Sequence, residues 1–272
     1  MMMNRKRGIV QQESVQILGI INITPDSFYD GGKYPDTESV IRDIRNKIDA
    51  GADWIDIGAC STRPLAKPVS VNEECERLKI LEDIRAAFPD IKISLDTYRA
   101  EVARFAVDAY RIDMINDISG LEDPEMAAFI SEYQMPYVLT FSDGPINVPR
   151  KTDFKADALI AKMLDFFKSQ LDLLPQDLIL LDLGFGFNKS LNDNYILLKH
   201  LDSALIFNRP ILAGISRKRM VYEPLNTYPT SALNGTTALN TIALWKGARW
   251  LRVHDVREAY EVAQLITKLQ NA

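Results

Sequence analysis

Acidic, amide and basic side chains recur in this chain at the ends of short apolar runs. Asn22, Asp56, Asp96, Asn116 with Asp117, Thr140 and Asp182 each close such a run, and later runs end on Ser216-Arg217-Lys218 and on Arg252 with His254. Asp96, Asn116 and Asp182 carry oxygens suited to a ring with several N–H groups, because a buried carboxylate accepts two parallel hydrogen bonds from an amidine-like edge as it does from guanidinium. Arg63, Arg217, Lys218, Arg252 and His254 supply cations, and in a chain of net charge -5 such a cluster suits a phosphate or pyrophosphate. Arg252 and His254 stand two residues apart, so strand periodicity puts both side chains on one face. Each residue alone has a plainer explanation. Asp and Asn commonly start turns, Arg217-Lys218-Arg219 reads equally well as a solvated run, and a single histidine is usually structural. A polar end on nearly every run is harder to assign to turn chemistry.

The runs themselves read as strands at 17–22, 54–58, 91–96, 114–117, 136–140, 178–182, 210–214 and 250–253. They are short and apolar almost throughout, as strands of a parallel sheet are when both faces are buried. Amphipathic segments fill the gaps, at about 37–50, from Ser70 onward, and at 99–110, 124–133, 154–171, 191–201, 238–246 and 256–269. Gly51 marks a helix end, and Ser70-Val71-Asn72-Glu73 reads as a capping box. Eight strands alternating with helices predict an α/β fold, a closed (β/α)8 TIM barrel, as one domain over 1–272 with 1–14 a flexible lead-in. All eight C-terminal strand ends then open on one rim, where barrel enzymes hold their active sites. Gly51-Ala52-Asp53-Trp54 and Gly247-Ala248-Arg249-Trp250 echo one another, which shared turn chemistry explains.

Composition narrows the function classes. The acidic balance argues against a general nucleic-acid binder. Cys60 and Cys75 form no CxxC pattern and only two histidines exist, so neither a zinc constellation nor a disulfide framework can be written. No apolar stretch reaches the ~20 residues of a membrane span, and 1–12 lacks the apolar run of a signal peptide, so the cytosol is the expected location. Gly184-Phe185-Gly186-Phe187-Asn188-Lys189-Ser190 has neither the spacing of a P-loop nor the third glycine of a dinucleotide fingerprint.

Several segments resemble the dihydropteroate synthase family, in family order, from about residue 17 to the end. They are Ile21-Asn22-Ile23-Thr24-Pro25-Asp26-Ser27-Phe28 with Asp30-Gly31-Gly32, then Asp56-Ile57-Gly58 with Ser61-Thr62-Arg63-Pro64 and Asp96-Thr97. Ile115-Asn116-Asp117-Ile118-Ser119-Gly120, Asp182 with Gly184–Phe187, Ser216-Arg217-Lys218 and Arg252-Val253-His254-Asp255 follow. The resemblance implies a (β/α)8 transferase of folate synthesis that joins 6-hydroxymethyl-7,8-dihydropterin pyrophosphate to p-aminobenzoate. It implies that Asp96, Asn116, Asp182 and Lys218 hold the pterin, with Asp96, Lys218 and Arg252 catalytic. Asn22, Arg63, Arg252 and His254 would hold the pyrophosphate, with Mg2+ bridging to Asn22. Phe28, Thr62, Pro64, Phe187 and Arg219 would surround p-aminobenzoate. It further implies loops 23–34 and 59–68 that close over the site, and a homodimer.

Three places depart from the family pattern. Thr140-Phe141-Ser142 replaces a Met-His-Met type sequence, which puts packing around Thr140 in question; Leu183 replaces a proline; and Arg219 replaces a serine. Two other functions compete with this one. A pterin-dependent corrinoid methyltransferase has no use for Arg63, Lys218, Arg252 and His254 together, and a catalytically silent pterin-binding paralogue draws its support from the departure at Thr140.

Overall fold

The computed structural model describes residues 14–23, 36–60, 69–144 and 153–272. Most of the expected lead-in, both expected closing loops apart from their ends, and Phe28, Thr62, Arg63 and Pro64 lie outside the described residues. Strands β1 (Gln16–Asn22), β2 (Trp54–Gly58), β3 (Lys92–Asp96), β4 (Met114–Asp117), β5 (Tyr137–Thr140), β6 (Ile179–Asp182), β7 (Ile211–Ala213) and β8 (Trp250–Val253) pair in sequence order and close into a barrel. Every pairing is parallel, including β8 with β1. The expected (β/α)8 barrel is the observed one.

Strand periodicity sorts the side chains into two sets. Outward residues such as Ile17, Ile55, Ile57, Leu95 and Leu181 form the main core with the surrounding helices. Inward residues Leu18, Trp54, Met114, Val138, Leu180, Leu212 and Trp250 form a separate apolar plug. Trp54 and Trp250 meet inside it with ring centroids 5.3 Å apart. The echoed segments therefore each deliver an indole to the plug, after a glycine held at φ +103 (Gly51) or +107 (Gly247), a region that L side chains avoid.

The helices are α1 (Thr37–Asp49), α2 (Val71–Leu78), α3 (Leu81–Ala87), α4 (Ala100–Tyr110), α5 (Met126–Tyr133), α6 (Ala156–Leu171), α7 (Leu191–Lys199), α8 (Arg219–Tyr222), α9 (Leu233–Trp245) and α10 (Val256–Gln270). The segment after Ser70 is two helices, not one, and α9 starts five residues earlier than expected. Ser70 caps α2 through Glu73 N–H, but the Glu73 carboxylate pairs with Arg77, so the cap is one-sided. The reciprocal box occurs instead at Ser190 and Asp193, which start α7. None of the described helices is long and apolar enough to cross a membrane.

Candidate active site

Two residues beyond the plug, the same inward parity carries Asp56, Asn116, Thr140, Asp182, Gly214 and Arg252. The apolar layer thus ends in a polar floor at the C-terminal rim. Asp96 joins it from β3, paired in register with Gly58 and Asn116. Arg252 is its centre: Nε donates to Asp56 Oδ2 at 2.6 Å and an Nη2 hydrogen to Asp96 Oδ2 at 2.6 Å. Asn116 donates to the same Asp56 carboxylate at 3.3 Å. Burial pushes the Asp96 carboxyl up to about 7, with Arg252 opposing and Asp56 adding to the rise. The two carboxylates in turn hold the Arg252 guanidinium firmly protonated against the effect of its own burial.

Glycines keep the floor open. A Cβ on Gly58 would lie 3.6 Å from both Asn22 Oδ1 and Asp96 Oδ2, so these oxygens face one small space. A Cβ on Gly214 would lie 3.5 Å from Asp182 Oδ2 and 3.7 Å from Lys218 Nζ, which puts that pair together as well. Asp182 Oδ1 accepts the Gly184 N–H at 2.8 Å, and Gly184 sits at φ +69, so the turn after β6 closes with a buried Leu183 in it. Burial raises the Asp182 carboxyl above its ordinary value, and Lys218 is the largest opposing influence, with Arg252 also acting on it. Asp182 and Arg252 therefore face one mouth.

Arg217-Lys218-Arg219 splits three ways. Arg217 takes φ +55 and pairs through Nε with Asp255 at 2.9 Å. Lys218 turns inward, donating to the Phe185 carbonyl at 2.5 Å with Nζ 4.3 Å from the Phe187 ring centre. Burial brings it down to about 8. Arg219 is half-exposed at the start of α8 and pairs with Glu223, the residue that follows that helix. His254 donates its backbone N–H to Ser216 Oγ at 3.2 Å, and its Nδ1 lies 3.1 Å from the same oxygen. Ser216 thereby fixes the orientation of the imidazole, with Nε2 on the far edge of the ring. Burial, with Arg252 and Arg217, lowers His254 to about 4, so the ring is neutral at pH 7.

Asn22, Asp96, Asn116, Asp182, Lys218, Arg252, His254 and Phe187 thus gather at one rim. Asp117 does not: it points outward, accepting from Ser119 N–H at 2.7 Å and the Tyr137 hydroxyl at 2.6 Å, a turn-forming role. Sequence reading gave Asp56 no role of its own, although its position two residues after Trp54 was signal enough. Asn116 Oδ1 and Thr140 Oγ1 are buried without a hydrogen-bond partner among the described residues. Thr140 is fully buried, opposite Asp182 in the register. On either side of residues 61–68, Arg77 donates to the Ala59 carbonyl at 2.7 Å and Arg99 to the Val69 carbonyl at 2.8 Å. Arg99 is itself fixed at 2.7 Å by Glu74, which is buried.

Acceptors for a flat heterocycle and donors for an oxyanion, on the rim of a closed parallel barrel, define a barrel enzyme for an anionic ring compound. A family model described as pterin binding enzyme matches residues 18–254. A dihydropteroate synthase of Streptococcus pyogenes is 39% identical over 93% of this chain and 95% of its own length, and that of Escherichia coli K12 is 37% identical over 92% and 90%. The Xanthomonas albilineans dihydropteroate synthase solved with 4-aminobenzoic acid superposes with a TM-score of 0.85 at 33% identity, covering 96% of this chain and 94% of that one. The same enzyme in complex with 7,8-dihydropteroate gives 0.82 at 30% identity, over 96% and 95%. The chain belongs to the pterin-binding enzyme family, and within it to the dihydropteroate synthases.

Proposed function

We propose that this chain joins the methylene carbon of 6-hydroxymethyl-7,8-dihydropterin pyrophosphate to the amine of p-aminobenzoate, releasing pyrophosphate and 7,8-dihydropteroate. One observation carries the reading: the ring-reading acceptors and the anion-binding donors share a mouth, bridged by Arg252. Asp182 Oδ2 and Asn116 Oδ1 accept from the pterin ring, and Lys218 lies between that ring and Phe187. Arg252 uses Nε and Nη2 on the two carboxylates; Nη1 takes no part in those bonds and is the edge offered to pyrophosphate, beside the His254 ring. As the C–O bond breaks, negative charge collects on the departing pyrophosphate, where a guanidinium already oriented by two carboxylates stabilises it without reorganisation. Asp96, which accepts from Nη2 of that guanidinium, stabilises the positive charge left on the pterin methylene. The arylamine nitrogen attacks that carbon and loses a proton as the new C–N bond forms, a step that depends on position more than on a strong base.

Mg2+ fits as a partner of the substrate. No group of three or more His, Cys, Asp or Glu among the described residues can cage a metal ion. Asn22 Oδ1, open beside Gly58, is the kind of single hard oxygen that Mg2+ takes when phosphates and waters supply the rest. When bound, the ion neutralises pyrophosphate charge. Phe28, Thr62, Pro64 and Phe187 are the proposed surroundings of p-aminobenzoate, and Arg63 a further pyrophosphate donor. The enzyme works in the cytoplasm, where its thiols Cys60 and Cys75 stay reduced, and as a homodimer, in keeping with the exposed Ile206, Tyr228 and Trp245 side chains.

Purified protein given both substrates with Mg2+ is expected to form 7,8-dihydropteroate and to lose that activity with chelator. Pterin binding without product would indicate the silent paralogue, and methyl transfer from a reduced folate the corrinoid enzyme. Sedimentation of the same preparation is expected at twice the chain mass.

The pH profile of kcat/KM for the pterin substrate is expected to be bell-shaped. Asp96 acts ionised, so activity falls as pH drops through about 7; Lys218 acts protonated, so activity falls as pH rises through about 8. His254, down at about 4, contributes no limb in that range. Lys218→Met should remove the alkaline limb, and a wild-type profile flat across both values would contradict these roles.

A further inference from the structure

Lys189, in the glycine-rich segment that matches no nucleotide fingerprint, is a buried ammonium that the reaction above does not use. It is 5% exposed. Its Nζ donates to the carbonyls of Phe141 at 2.9 Å, Gly184 at 2.9 Å and Phe187 at 3.2 Å, and lies 4.8 Å from the Phe141 ring centre. An ammonium has three N–H donors, and here each meets a backbone oxygen. Phe141 follows β5, whereas Gly184 and Phe187 follow β6, so one side chain ties two rim loops together. The fit is close: a Cβ on Gly184 would come within 2.8 Å of this Nζ.

The tied loop is the one that seats Lys218. Phe185 supplies the carbonyl for its Nζ and Phe187 the ring beneath it. A Cβ on Gly186 would lie 2.9 Å from Lys218 Cδ, so the loop backbone packs directly on the lysine stem. We propose that Lys189 is a positioning residue: by fixing the loop after β6 to the loop after β5, it holds Lys218 against Asp182 in the pterin pocket. The proposal rests on the pterin-binding reading of that pocket. Lys218 faces Asp182 on β6, Asp96 on β3 and Arg252 on β8. A loosened loop admits water to it and lifts its titration from about 8 toward the ordinary lysine value, because burial is the main cause of the depression.

The test is Lys189→Met, which keeps the length of the stem and removes the three donors. Lys218 is titrated directly by NMR in protein carrying ε-13C lysine, with Lys218→Met assigning the signal, and steady-state kinetics run alongside. Expected are a folded variant, a Lys218 titration moved upward, and kcat/KM for the pterin substrate lowered about 10- to 100-fold, the scale of loss from small misplacements. A Lys218 titration unchanged in folded Lys189→Met, or unchanged turnover, overturns the proposal. Loss of Tm alone, with the titration in place, marks Lys189 as merely structural and overturns it too. Should Lys189→Met not fold, Lys189→Arg decides: its planar fork cannot set three donors at one point, so the same upward shift is expected, and its absence is disproof. The titration requires no turnover, so failure of wild-type protein to make dihydropteroate would count against the functional reading alone.

Discussion

Arg252→Ala is expected to lower kcat/KM for the pterin substrate by about 10³-fold or more, and to destabilise the protein as well. The rate effect follows from losing a preoriented donor to the leaving group, where removal of a single donor costs roughly 10²–10³ in kcat. Arg252 also pairs with two carboxylates of the floor. Asp56 is completely buried and Asp96 nearly so, and Arg252 is the cation hydrogen-bonded to both at 2.6 Å. Removing one partner of a buried ion pair costs about 3–5 kcal/mol, because it strands the remaining charge. Asp96, already raised to about 7 with Arg252 present, rises further without it. A folded-state value raised above the unfolded one gives stability that is present at low pH and lost as pH climbs through the folded value. The deficit in Tm should therefore be largest at alkaline pH and shrink toward acid. Arg252→Met combined with Asp56→Asn should regain much of the stability and none of the turnover. A double variant that regained activity would show that the arginine serves the fold and not the leaving group.

The site was only partly legible in the sequence. Strand period suffices for Asn116, Asp182 and Arg252, since an apolar inward residue two positions earlier (Met114, Leu180, Trp250) fixes which way each points, whereas Asp96 follows the polar Ser94 and has no such marker. The same rule separates Asp56 from Asp117. Asp56 shares parity with Trp54 and faces in, while Asp117 follows the inward Asn116 and must face out, where Ser119 and Tyr137 bind it. Parity ends where the strand ends. Nothing in Arg217-Lys218-Arg219 tells which cation turns inward, because a left-handed φ at Arg217 and the start of α8 redirect the three side chains, and Arg219 finds Glu223 four residues on. Lys189 was hidden for another reason: its partners are carbonyl oxygens, which leave no pattern in side-chain types. Neither Gly nor Pro marks the break at Lys79-Ile80 between the two helices that follow Ser70.

The most selective test of the acceptor side is Asp182→Asn, expected to weaken pterin binding about 10³-fold or more while the chain stays folded. The amide oxygen can keep the Gly184 N–H bond that shapes the turn. The other position, Oδ2, faces the space beside Gly214 and Lys218, and there an amide sets N–H donors against the ring's own donors. A site built to hydrogen-bond a substrate group discriminates by about 10⁴ or more when the pairing is lost, since buried polar groups are then left unmatched. Stability should move differently. Asp182 is held above its ordinary carboxyl value by burial, so its ionisation makes the wild-type fold less stable as pH rises through that raised value. The neutral amide lacks this dependence, and the variant's Tm relative to wild type should improve from acid toward neutral pH. Lys218 loses the carboxylate that most supports its charge, so its titration moves below about 8, opposite to the shift expected for Lys189→Met. Calorimetric titration with a pterin reads the affinity. Asp182→Asn protein that bound pterin as tightly as wild type would remove Asp182 from the ring-reading face and leave Asn116 and the buried Thr140 hydroxyl to account for recognition.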